Sequence, residues 1–244
     1  MARVDDLLQT ALKTLQEKPA DDAKQSDKKR YSELCSQVIA QAFGEELRER
    51  GMSGARPATP GEIGVSGAER RMSGGIGAKK VDVTWATEES GLVFAISVKT
   101  INFRDVRTLN FQKNLTNRRN DMLYESVTLH RRFPYSVLAG FLFVDKDAAT
   151  DQTGRRRSTF ENAHTRFRLF TGRRDPAGRD EQYERLYIVL LDANPFDPNW
   201  QAFEVGKPDQ PVELDQVFNE LIELIAERNP DFYEAVDGVL RSAR

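Results

Sequence analysis

The chain has 244 residues, 39% hydrophobic and 30% charged, with a formal net charge of −2; this describes a protein with its own core, not a disordered or membrane-embedded one. A single cysteine, Cys35, and two histidines, His130 and His164, exclude an internal disulfide, a multi-cysteine zinc site and a His-rich centre, so any metal is expected on oxygen ligands. The charge is uneven: residues 99–185 carry 18 basic and 11 acidic side chains, residues 186–244 carry 4 and 12, and arginine outnumbers lysine 25 to 11.

In chain order, apolar residues at helical spacing over 4–15 predict an N-terminal helix. A polar linker with Pro19 follows over 18–29, then a helix over 30–50 that stops at Gly51. Residues 51–78 hold eight of the sixteen glycines and read as loop, with a short strand at 62–65. Strict alternation over 80–86 and a greasier run over 92–100, separated by Glu88, Glu89, Ser90 and Gly91, predict an antiparallel hairpin. A helix over 109–132 closed by Pro134, a buried strand over 135–144 and a helix over 158–170 come next. Ser158 and Glu161 form a capping box for that last helix. A strand at 186–191 and helices at 214–228 and 230–240 complete the pattern.

No internal repeat is present. The order predicts an α/β fold with a mixed sheet flanked by helices and with helical extensions at both ends. The expected division is a helix and linker over 1–29, a core over 30–200 and an acidic helical extension over 201–244. The longest apolar stretch, 135–144, is about half of the ~20 residues a spanning helix requires, and residues 1–30 lack a signal-peptide core. A cytoplasmic protein without membrane contact is expected.

Side chains alternate across a strand. In the first strand of the hairpin Val81, Val83 and Trp85 share one face, and Lys80, Asp82 and Thr84 the other. In the second, Leu92, Phe94, Ile96 and Val98 oppose Val93, Ala95, Ser97 and Lys99. Antiparallel pairing therefore brings Asp82 and Lys99 together on one side of the sheet.

Gly-Ala-Lys-Lys-Val-Asp-Val (77–83), a short hairpin and Ala-Ile-Ser-Val-Lys (95–99) resemble the PD-(D/E)xK nuclease superfamily, which includes restriction endonucleases. The resemblance covers roughly residues 45–145 and implies a restriction-endonuclease-like fold. Asp82 matches the family's Asp and Lys99 its Lys; Ser97 stands where an acid is usual. The family sometimes supplies that acid from the helix ahead of the hairpin. Glu45 and Glu46 lie near the end of such a helix, with Glu46 nearest the centre of its apolar face; Glu69, in the Gly-rich loop, is a third candidate.

The resemblance implies Mg2+-dependent hydrolysis of DNA phosphodiesters, with Mn2+ as substitute. Asp82, a Glu and the Val98 carbonyl are the implied ligands, and Lys99 would orient the attacking water or stabilise developing charge. Lys80, Arg104, Arg107, Lys113, Asn114, Arg118 and Arg119 are candidate contacts to double-stranded DNA. A homodimer is expected, because cutting two strands needs two sites and the chain has one Asp82/Lys99 pair. The implied role is restriction or defence against phage. A DNA-binding or regulatory subunit that has lost catalysis is the alternative, and an Asp82–Lys99 surface ion pair without function is the plainest reading. Arg155, Arg156 and Arg157 read as a solvated run, His130 as a helix-end structural residue, and Tyr183 and Tyr187 as core or surface residues.

Overall fold

The computed structural model describes residues 3–59, 70–152, 157–174 and 177–243. Its elements are α1 (Arg3–Leu12), α2 (Gln25–Glu49), β1 (Arg70–Ser73), β2 (Ala78–Val81), β3 (Val83–Thr87), β4 (Gly91–Ile101), α3 (Leu115–His130), β5 (Val137–Asp145), α4 (Thr159–Phe167), β6 (Arg185–Asp192), β7 (Asn199–Glu204), β8 (Pro211–Val212), α5 (Leu214–Arg228), β9 (Tyr233–Val236) and β10 (Val239–Ser242). The central sheet runs β3-β4-β5-β6-β7-β8. Strands β4, β5 and β6 are parallel neighbours joined through α3 and α4, while β3, β7 and β8 pair antiparallel. This is the expected mixed sheet flanked by helices.

Both faces of the sheet are covered, which explains why β5 reads as a continuous apolar run. On one face α1, α2 and α5 bury Leu8, Phe43 and Phe218 against Phe141 and Phe143; the Phe43 ring lies 5.0 Å from Phe141 and 5.2 Å from Phe218. On the other, Met122 and Leu129 of α3 and Phe160 and Phe167 of α4 pack on Leu138, Leu142 and Leu186. Ser158 is the N-cap, as expected, its hydroxyl accepting the Glu161 backbone N–H, while the Glu161 carboxylate pairs with Arg157 at 3.6 Å.

Four expectations are corrected. The 1–29 segment is not a separate extension: Val4, Leu8 and Leu12 are fully buried in the main core, and α2 begins at Gln25, inside the expected linker. Residues 109–114 form a loop and a 3-10 turn ahead of α3. Residues 230–240 are not helical but supply the hairpin β9–β10, turned at Asp237 and Gly238 with φ of 51° and 72°, the two positive values of a type I′ turn. The 201–244 segment is therefore mixed, and β7 with β8 extends the central sheet. The strand expected at 62–65 lies outside the described residues.

His164 is buried at the α4–β7 contact, its Nδ1 accepting the Gly206 N–H at 3.0 Å and its ring against Phe160. That bond requires an unprotonated Nδ1. Burial therefore pushes the imidazole from 6.5 down to about 4. Because the unfolded chain then binds the proton more readily, stability should fall as pH drops from about 6.5 to about 4. The expected loss is about 2 kcal/mol, discounted for partial solvation. Thermal melts at pH 4.5 and 7.5 check this: His164→Phe should be less stable at pH 7.5 but have a flatter pH dependence, and an unchanged dependence would overturn the assignment.

Candidate active site

Asp82 occupies the bend between β2 and β3. The chain changes faces there: Val81 packs on the α3 side of the sheet, Val83 and Trp85 on the α2 side. The strand read as continuous over 80–86 is thus broken at its acidic residue. Beyond the bend, β2 pairs with β1, and the tip of that hairpin rests on the end of α3. The Gly75 N–H donates to the Thr128 carbonyl at 2.8 Å. A Cβ at Gly74 would lie 2.2 Å from that same carbonyl oxygen, so the glycines permit the approach that fixes Asp82 against α3.

Pairing of β3 with β4 ends at Val83 and Ile96, which leaves the next stretch of β4 facing the bend. Asp82 Oδ2 accepts the Val98 N–H at 2.7 Å and the Lys99 Nζ at 2.8 Å. A residue's N–H and C=O point to the same edge of a strand, so the Val98 carbonyl also faces this opening. Lys99 Nζ lies 3.5 Å from Oε2 of Glu125, on the sheet-facing side of α3. The Glu125 side chain is 2% exposed, against 13% for Lys99 and 16% for Asp82.

Burial alone would disfavour the Lys99 ammonium, but Glu125 and Asp82 outweigh it and hold its pKa above the ordinary value. Glu125 is raised from 4.5, first by burial and also by the neighbouring Asp82 charge, with Lys99 opposing both. Its carboxylate is buried, with the Ser97 hydroxyl beside it and the Lys99 ammonium 3.5 Å from Oε2. Two carboxylates thus share the Lys99 ammonium, with Lys79 adding positive charge near Glu125 and Arg118 near Lys99.

Asp82, Val98 and Lys99 lie at the base of a cleft of about 1600 Å³, lined by ten lysines and arginines and four carboxylates. One wall is α2, with Lys28, Lys29, Ser32 and Ser36; the other is the loop 102–111 and the start of α3. Of the candidate DNA contacts, Lys80, Arg104, Arg107, Lys113, Asn114 and Arg118 line this cleft, and Arg119 does not. Arg104 pairs with Asp147 at 2.6 Å and Lys113 with Asp105 at 2.7 Å, within the basic third of the chain. The α2 wall was not anticipated, because its polar face reads as an ordinary solvated helix surface.

The other acids go elsewhere. Glu46 is buried, as its wheel position suggests, but its carboxylate is taken by Arg50 and Arg3. Glu45 bonds Gln41 and lies 3.9 Å from Arg48. Glu69, Arg155 and Arg156 lie outside the described residues, and Arg157 pairs with Glu161 at 3.6 Å. Tyr183 and Tyr187 are core residues. His130 is fully buried, with Nδ1 donating to the Asp180 carbonyl at 3.1 Å and Nε2 3.3 Å from Glu184, a structural position.

Glu125 was missed, yet a signal exists. It stands three residues after Met122 and four before Leu129, on the flank of the buried face of α3, where the wheel argument that selects Glu46 also selects it.

A hard divalent cation fits this donor set in kind: two carboxylates and a carbonyl, with room in the cleft for water. The buried Glu125 carboxylate beside that of Asp82, both facing the Lys99 ammonium, is the feature that favours such a cation. Among the described residues no cluster of three His, Cys, Asp or Glu side chains gathers for a metal, and no helix is long and apolar enough to cross a membrane. Comparison with protein families, curated proteins and solved structures finds no match for this chain.

Proposed function

We propose that the chain is a divalent-cation-dependent DNA endonuclease of the PD-(D/E)xK type, in which Glu125 stands in for the acid absent at Ser97. The observation that carries this reading is the Asp82–Lys99–Glu125 constellation: Asp82 and Lys99 line a basic cleft, and Glu125, on the following helix, lies buried behind them with Oε2 3.5 Å from the Lys99 Nζ. Asp82, the Val98 carbonyl and Glu125 are the residues that would hold the cation. When bound, Mg2+ or Mn2+ lowers the pKa of water and offsets phosphate charge. Lys99, kept protonated by its two carboxylates, donates to a non-bridging phosphate oxygen or orients the attacking water. The lysines and arginines of the walls hold the phosphate backbone across the opening.

Incubation of supercoiled plasmid with Mg2+, and with EDTA, tests this. Conversion to nicked or linear product in Mg2+ and none in EDTA is expected; no conversion of any plasmid in Mg2+ or Mn2+ would sink the enzyme reading. Linear product at the earliest times would support a homodimer bringing two sites to one duplex. Ser97, standing where the family carries an acid, favours one second reading, a DNA-binding subunit without catalysis, for which binding in the absence of cleavage is the outcome.

A further inference from the structure

The loop 102–111, between β4 and α3, displays two large apolar side chains in solvent: Val106 is 59% exposed and Leu109 is 68% exposed. No other loop among the described residues exposes two. The loop is closed on itself. Asp105 accepts the N–H groups of Arg107 and Thr108 at 3.1 and 3.0 Å and pairs with Lys113, while the Leu109 N–H donates to the Asp105 carbonyl at 2.8 Å. Leu109 sits at φ 54°, a left-handed conformation that costs a leucine backbone energy and a glycine none. A side chain that is strained and also exposed does nothing for the stability of the free protein.

Val106, Arg107 and Thr108 line the same cleft as Asp82 and Lys99. A duplex seated deeply enough to reach Lys99 therefore meets this tip. We infer that the loop is a wedge: Val106 and Leu109 enter a base step of bound duplex DNA and partly unstack it, while Arg107 holds a flanking phosphate. The inference rests on the DNA reading above and adds how the duplex is engaged. A lipid surface suits an apolar tip less well here, because the cleft is concave and its walls are polar and basic.

A wedge binds more tightly where stacking is already broken. In EDTA and at fixed salt, wild-type protein should bind a duplex with a single mismatch about tenfold more tightly than the perfect duplex. Val106→Ser/Leu109→Ser should bring the two affinities within about twofold, whereas Arg107→Ala should weaken both equally. Leu109→Gly should lose preference and melt no lower than wild type, since glycine relieves the strain. Equal wild-type affinity for both duplexes, a preference surviving in the double variant, or a marked loss of stability in Leu109→Gly would each overturn the wedge and leave the DNA reading standing. Absence of binding to either duplex would overturn both. Loss of sedimentation with anionic vesicles in the double variant, with no change on DNA, would assign the tip to lipid and also overturn it.

Discussion

Asp82→Ala, Lys99→Ala and Glu125→Ala should each lower Mg2+-dependent plasmid cleavage by at least about 10²-fold, the usual cost of one preorganised charge at a transition state. The three residues are coupled, so the losses should not add in the double variants. Lys99 is protonated because Glu125 and Asp82 outweigh its burial; Glu125→Gln removes one of those supports and the carboxylate proposed to hold the cation at once. Thermal melts with and without Mn2+ separate the roles. A cation held by both carboxylates should raise the wild-type melting temperature, and Asp82→Ala or Glu125→Gln should abolish most of the rise. Full cleavage by folded Asp82→Ala and Lys99→Ala would return the pair to the status of an ion pair. Full cleavage by Glu125→Gln alone would remove only the stand-in acid.

What was legible in the sequence follows from how each feature is encoded. The N-cap at Ser158, the hairpin of β3 and β4 and the strands β5 and β6 depend on local pattern, and they are where the pattern puts them. The pairing of Asp82 with Lys99 was also legible, since it needs only strand alternation and a short turn. Glu125 was not, because its place beside Lys99 depends on how α3 docks on the sheet, a tertiary fact. Glu46 illustrates the converse. Its burial was correctly read, but the cation answering it is Arg50, four residues on, and not a metal. At 230–240 the spacing of apolar residues suits a helix, but the Asp-Gly pair at 237–238 is a hairpin turn sequence and prevails. Strands β7 and β8 were missed because they alternate weakly and β8 has two residues.

Glu184→Gln should cost about 3–5 kcal/mol, the range for breaking a buried charge network by removing one partner. Glu184 is at 0% side-chain exposure and accepts from Arg173 at 3.1 Å and the Leu138 N–H at 2.7 Å; Arg228 lies 2.9 Å and His130 Nε2 3.3 Å away. The network ties the ends of α3 and α5 to the starts of β5 and β6. Without the carboxylate, Arg173 at 0% and Arg228 at 4% side-chain exposure keep carbonyl partners, Pro134 and Arg173 itself, but lose the carboxylate they share. Burial alone would raise the Glu184 carboxyl, yet His130, Arg228 and the Leu138 N–H together hold it below 4.5. A lowered carboxylate contributes its stability above the unfolded value and loses it as pH falls through the folded one. The gap between wild type and Glu184→Gln should thus be constant from pH 6 to 8 and narrow below about 4.5. Denaturant melts across this range provide the measurement, with Glu181→Gln, partner of exposed Arg179, as a control expected to cost under about 1 kcal/mol. A Glu184→Gln cost as small as the control's would mean that water reaches both arginines and that the network does not hold these four elements together.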